Sequence, residues 1–279
     1  MTLKLSNLNR AARRVAAFTM VEIAICIGVI GFAMVAIIGI LPIGLNVQRD
    51  NREVTLINFD ANYLLNAIRS GARGQDELTN YVISITNYIT LLDPTGARLN
   101  FGINWYTTNG SFNTPGTPFM TNGSNIIGLL STPKYVPAKN GDFYSNFITA
   151  DIRAISGSLV DQGTSQGSRD FAFTYRVFPE LIPSSSYAFS NSAWQNYSTL
   201  VSAIPDPTGA NSSNSMVGKD LQHNLSDLRL KFSWPVLGNG KVGNGHEVFR
   251  SAVSGTVTNY ATVQGTLFYV QPQSFGYAP

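Results

Sequence analysis

The chain is poor in reactive side chains. In 279 residues it has one cysteine, Cys26, and two histidines, His223 and His246. A single cysteine excludes an internal disulfide. Its place inside an apolar run marks it as a small apolar residue and not a reactive thiol. Many small secreted domains lean on disulfides; this one must rely on a core. The histidines stand far apart with no cysteine beside them, which excludes a zinc site of ordinary spacing. No G-x-S-x-G nucleophile elbow occurs. Charged residues are only 13% of the chain, while Asn, Ser, Thr and Gly are plentiful. That balance fits a β-rich, loop-rich extracytoplasmic domain better than a cytosolic helical one.

The basic pI, near 9.0, is misleading. Lys4, Arg10, Arg13 and Arg14 all fall within the first 17 residues, which hold no acid; beyond them 15 basic residues face 16 acidic ones. No Lys/Arg stripe interleaved with aromatics is left for a phosphate backbone, so no nucleic-acid partner is expected.

What the chain does have is a long apolar run, FTMVEIAICIGVIGFAMVAIIGILPIGL, from Phe18 to Leu45, with no charge in residues 23–45. At about 1.5 Å per residue, a helix of that length spans a bilayer core of about 30 Å. It is apolar on every side, so its surroundings are lipid or the inside of an assembly. The basic segment before it holds the N-terminus on the cytoplasmic side and sends the rest outside. A cleaved secretory signal would need a small-x-small site at the far end, and ILPIGLNVQ offers none. A core helix of a soluble protein would be shorter and less uniform. A plain anchor explains the length but not Glu22, because a carboxylate inside a membrane helix costs roughly 2.5–3.5 kcal/mol without a partner.

The stretch Arg13-Arg14-Val15-Ala16-Ala17-Phe18-Thr19-Met20-Val21-Glu22 resembles the prepilin-type cleavage and methylation motif. In that family a basic leader and a small residue precede Phe-Thr-Leu-Ile/Val-Glu at the head of a long apolar helix. The usual residue before the cut is Gly; here it is Ala17. The resemblance implies cleavage by a prepilin peptidase between Ala17 and Phe18 and N-methylation of Phe18. It also implies an assembly role for Glu22, fifth from the new N-terminus. A neighbouring subunit's Phe18 amine is the cation Glu22 needs, and pairing the two charges inside an apolar bundle sets one register. Ala24, Gly28 and Gly31 fall near one helix face, where small residues let helices approach closely; ordinary membrane-helix composition explains them equally well. Pro42 is expected to kink or loosen the helix near its outer end.

Past Asn46 the pattern stays helical but turns amphipathic, with Val54, Ile57, Ala61, Leu64 and Ile68 on one stripe and Gly71 and Gly74 as stops. A second helix is expected from Asp76, with Leu78, Tyr81, Val82, Ile85, Ile89 and Leu92 on one face and Asp93-Pro94-Thr95-Gly96 closing it. Strands are expected near 147–159, 170–178, 226–236, 246–253 and 265–271. The strict alternation of Leu228-Arg229-Leu230-Lys231-Phe232-Ser233-Trp234 is the clearest. Loops are expected at 107–125 and 183–216. The globular part is similar to prepilin-type proteins encoded together in so-called Verru_Chthon cassettes. That similarity rests on Arg153-Ala154-Ile155-Ser156-Gly157 and on a Trp-Pro strand followed by Phe249-Arg250.

Other motifs carry less. Gly238-Asn239-Gly240-Lys241-Val242-Gly243 fits G-x-G-x-x-G, but a β-like Glu247-Val248-Phe249 follows instead of a helix, so a hairpin loop is expected and not a dinucleotide site. Asp161, Asp170, Asp206 and Asp220 are scattered, and no D-x-D-x-D-G loop supports calcium. Neither a cofactor nor a metal is expected.

The sequence therefore predicts an α+β, pilin-like chain. Residues 1–17 are a cleaved leader, 18–45 a transmembrane or filament-core helix, 46–70 an amphipathic stalk, and 71–279 a β-rich, antiparallel globular domain. The function expected is a non-enzymatic minor pilin or pseudopilin of a type IV pilus or type II secretion-like filament. It would sit in a bacterial inner membrane with its head outside, or in a periplasmic or surface filament. Its partners would be prepilin peptidase, other pilin or pseudopilin subunits and the membrane. The rival reading is a membrane-anchored extracytoplasmic binding module that uses the same signal without polymerising; an anchored enzyme lacks any constellation to support it.

Overall fold

The computed structural model describes residues 18–71, 74–107, 110–111, 114–115, 119–138, 141–157, 173–183, 224–262 and 265–276. The contacts divide the chain into two units, residues 1–53 and residues 54–279. One helix, α1 (Met20–Arg69), runs from the first into the second. In the first unit the described side chains are exposed almost throughout. In the second, α1 buries a stripe, with Ile57, Ala61, Leu64 and Ile68 each fully covered; Val54, expected on the same stripe, is exposed. Gly71 follows with φ +57°, and a Cβ there would stand 2.1 Å from the Val270 carbonyl oxygen. Glycine thus allows both the left-handed turn and the close approach of the next backbone.

A 3₁₀ turn, Asp76–Asn80, leads into β1 (Val82–Leu92) and β2 (Arg98–Thr107). Two short strands, β3 (Gly110–Ser111) and β4 (Thr114–Pro115), and a short helix, α2 (Gly123–Leu130), come next. The remaining strands are β5 (Tyr135–Pro137), β6 (Phe143–Arg153), β7 (Thr174–Pro183), β8 (Leu225–Val236), β9 (Val242–Ser254), β10 (Thr256–Thr262) and β11 (Gly265–Gln271). Among the described residues, nine strands form one antiparallel sheet in the order β4-β3-β2-β1-β6-β7-β8-β9, with β5 beside β6; β10 and β11 form a separate hairpin. The architecture is α+β, an apolar helix followed by an antiparallel sheet domain.

One face of the sheet and the second half of α1 share a core. Ile57, Ala61, Leu64 and Ile68 pack in one cluster with Ile85, Tyr106, Ala150, Ile152, Tyr175, Val177, Leu228, Leu230 and Phe232. Strand β8 follows the alternation of its sequence, with Leu228, Leu230, Phe232 and Trp234 all buried. The glycine-rich segment after it is a hairpin turn. Leu237 and Lys241 close it with a 2.8 Å backbone bond, and Gly240 takes φ +77°. A Cβ on Gly245 would stand 2.5 Å from the Trp234 indole, so the bare backbone of β9 makes room for the largest side chain of β8.

One expected helix is a strand. Residues Val82–Leu92 form β1, paired with β2 on one side and β6 on the other. The apolar spacing fits three-and-four periodicity, but Val82, Ile83, Ile85, Thr86, Ile89 and Thr90 are β-branched. Such side chains lose rotamer freedom in a helix and fit a pleated sheet. Asp93–Gly96 is a turn, but it joins two strands: Asp93 accepts from Thr95 and Ala97 through its side chain. Further differences concern strands. Strand β6 begins four residues before the expected 147 and stops at Arg153, β2, β5 and β10 were not expected, and β3, β4 and the start of α2 fall within the expected loop at 107–125. Of the expected loop at 183–216, residues 184–216 lie outside the described residues.

Candidate functional site

Two regions concentrate polar chemistry, and they are built in opposite ways. The first is the start of α1. The Thr19 backbone N–H donates to Glu22 Oε2 at 2.8 Å, and the Thr19 hydroxyl donates to the same oxygen at 2.9 Å. The Glu22 N–H donates back to Thr19 Oγ1 at 3.2 Å. This is a capping box, in which the first and fourth residues of Thr-x-x-Glu satisfy each other's orphan groups. The carboxylate also complements the positive end of the helix dipole. The Thr-x-x-Glu spacing in the sequence carries this role for Glu22 alongside the assembly role implied by the family resemblance.

The side chains around it face outward. Phe18 is 79% exposed, Cys26 is exposed, and Ala17 lies outside the described residues. Ala24, Gly28 and Gly31 fall near one face, and a Cβ on either glycine would meet nothing within 4 Å. Pro42 lies within α1, which continues helical on both sides of it. The helix has mean hydropathy 2.8 in its most apolar window and is long and apolar enough to cross a membrane. Burial of each large apolar side chain is worth about 1.5–3 kcal/mol. Residues 18–45 carry enough of them to represent tens of kcal/mol of unused apolar surface.

The second region is the polar framework of the head. Asp60, on the buried stripe of α1, is fully covered. Its carboxylate accepts from the backbone N–H of Ile155 at 2.9 Å and of Ser156 at 2.8 Å, and from the Tyr175 hydroxyl at 2.9 Å. Burial pushes its pKa up, against the pull of those donors, and burial together with the Asp60 charge pushes the Tyr175 phenol well up. The Arg153–Gly157 stretch singled out in the sequence is thus the loop that grips α1. Glu180 is nearly buried too but has cations: Lys134 Nζ lies at 3.0 Å and Lys231 Nζ at 2.9 Å. Burial pushes its pKa up, but the hydrogen bonds from Lys231 and Lys134 outweigh that and hold it below the usual value. Asp227 takes Arg229 Nε at 2.6 Å and Arg250 Nε at 2.8 Å, which gives the Phe249-Arg250 pair its place. None of these carboxylates stood out in the sequence, because their partners are mostly far apart along the chain.

His246 is exposed on β9, with Nδ1 3.0 Å from the Asn244 carbonyl. His223, Asp161, Asp170, Asp206 and Asp220 lie outside the described residues. Among the described residues no group of three or more His, Cys, Asp or Glu side chains is placed to hold a metal ion. A scan against models of known protein families, a search of curated proteins and a search of solved structures each returned no match.

Proposed function

We propose that the chain is a minor pilin or pseudopilin: a non-enzymatic subunit cut by a prepilin peptidase before Phe18, held in the membrane by α1 and drawn from there into a filament. The observation that carries this reading is Glu22 at the head of a helix whose first half is apolar and exposed. A carboxylate there weakens a mere anchor. It has a purpose if the helices of several subunits pack together. Thr19 fixes the carboxylate at the helix start, and oxygen lone pairs remain for a neighbouring amine. Cleavage before Phe18 would create such an amine in every subunit, four residues before Glu22 in the chain. Ala24, Gly28 and Gly31 support the same reading, because a close neighbour would meet no side chain there.

A minor role follows from size. More than 200 residues lie beyond the stalk, and a head of that bulk is hard to repeat at every position of a filament with one narrow core. Membrane topology follows the charge pattern, with Lys4, Arg10, Arg13 and Arg14 on the cytoplasmic side and the sheet domain outside.

The deciding experiment is Glu22→Ala expressed beside the wild type, with membrane and sheared-filament fractions compared. Normal membrane insertion and cleavage with loss from the filament fraction is expected. Equal incorporation would favour the rival reading, an anchored binding module that never polymerises.

A further inference from the structure

On the face of the sheet turned away from the core, four adjacent strands line an open groove of about 460 Å³. That is within the range of small-molecule sites, about 300–1,000 Å³. Its floor is hydroxylic, with Ser84 and Thr86 from β1 and Thr149 from β6. Register places Trp105 of β2 directly across from Thr86, and Thr86 across from Thr149. Tyr88, Phe147 and Phe178 form the second wall, with ring centroids 6.1 Å apart for Tyr88–Phe147 and 5.6 Å for Phe147–Phe178. Trp105 is 44% exposed and Phe147 49%. At the end nearest Ser84, Arg176 Nε and Nη2 donate to the two oxygens of Asp151 at 2.6 and 2.8 Å.

We propose that this groove binds a neutral glycan, a chain of pyranose rings. Each class of occupant must satisfy three features at once: apolar ring faces, hydroxyls that have no protein partner among the described residues, and a charge pair of zero net charge. An apolar protein surface or a lipid chain would cover the rings but would strand the hydroxyls and the ion pair. Each stranded buried polar group costs about 1–3 kcal/mol. A phosphate or another anion would find one lining cation, Arg176, already neutralised by Asp151 at its side. A pyranose ring has apolar C–H faces that stack on aromatic rings and a rim of hydroxyls that both donate and accept. The bidentate pair suits it as well. Arg176 still has the N–H groups of Nη1 to give and Asp151 still has lone pairs to accept, and the two are held in one plane by each other, so a pair of neighbouring sugar hydroxyls meets a preorganised donor and acceptor.

This inference does not depend on how the N-terminal segment is processed or whether the chain polymerises. The test uses the full chain in a polyoxyethylene detergent, which has no sugar headgroup to compete. Retention on insoluble cellulose, starch and chitin is measured, and soluble oligosaccharides of the same sugars are titrated against the retained form. Saturable retention on at least one of the three, released by its own soluble oligosaccharide, is expected. Trp105→Ala should weaken it at least about tenfold, equivalent to about 1.4 kcal/mol, with circular dichroism and melting unchanged because the ring is half exposed. Thr86→Val, nearly the same shape without the hydroxyl, should weaken it less. Absence of retention on all three polysaccharides would overturn the proposal. So would retention that Trp105→Ala leaves intact in a folded chain. A mass by light scattering that shows dimers in the wild type and monomers in Trp105→Ala would also overturn it, by making the groove a contact between copies of this chain.

Discussion

The two halves of α1 are one helix with two kinds of surface. From Ile23 to Leu45 it carries no charge and every side chain is exposed. From Val54 to Arg69 it is amphipathic, and a single stripe of Ile57, Ala61, Leu64 and Ile68 is fully covered. Carboxylates mark the same contrast. Glu22 is exposed and held by its own helix end, while Asp60 is buried and held by groups 95 to 115 residues away. The first half leaves its apolar surface uncovered and is long and apolar enough to cross a membrane. The second half has spent its stripe on the protein's own sheet. A helix can thus be continuous in backbone and yet serve two unrelated energetic purposes.

The comparison breaks most visibly if the halves are altered alike. Leu64→Ala should destabilise the head by about 2–5 kcal/mol, because it empties a fully covered site. Ile30→Ala, in the exposed half, should leave head stability within about 0.5 kcal/mol. Thermal or denaturant unfolding of both variants in the same detergent checks this; equal losses would mean the exposed half also packs on the head. A chain that begins at Asn46 extends the test. It should be soluble and its circular dichroism should be dominated by β-structure, since the core cluster begins at Ile57. A spectrum of disorder would contradict the separation.

Asp60 gives the next effect. Asp60→Asn replaces one acceptor oxygen by an N–H donor that faces donors, at a cost of about 1–3 kcal/mol. The pH dependence runs in opposite directions at the two buried carboxylates. The Asp60 pKa is raised on folding, so its contribution to stability falls as pH rises from the ordinary aspartate value through the folded one. The Glu180 pKa is lowered, so its contribution is present above the ordinary glutamate value and is lost as pH falls through the folded one. Unfolding free energies against pH for wild type, Asp60→Asn and Glu180→Gln should show each variant lacking its own slope; identical profiles in all three would refute the assignment.

The sequence made some of this visible. Local patterns carried over well: the α1 stripe, the alternation of β8 and the glycine-rich hairpin after it depend on neighbours a few residues apart. Strand β1 did not, because its apolar spacing suits either period and its fate was settled by pairing with β2 and β6. The Asp93–Gly96 turn was recognisable as a turn but not as the link between two strands. Asp60 was invisible for a related reason. A lone aspartate on a helix says nothing until the Ile155–Ser156 backbone and Tyr175 are brought to it. The groove between Trp105 and Phe147 is likewise a product of register across strands that are distant in sequence.

The smallest effect on folding is expected at Glu22. Loss of the capping box in Glu22→Ala should cost at most about 0.5–2 kcal/mol of local helix stability and leave the head unchanged, although filament incorporation should drop sharply.

The central claim is that residues 1–17 are removed and that Phe18 becomes the N-terminus of a membrane subunit. The most direct test is the intact mass of the chain extracted from membranes of cells that contain a prepilin peptidase, together with N-terminal sequencing. The account predicts loss of the first 17 residues and a start at Phe18 bearing one added methyl group. A chain that still begins at Met1, or one cut near Leu45, would contradict it.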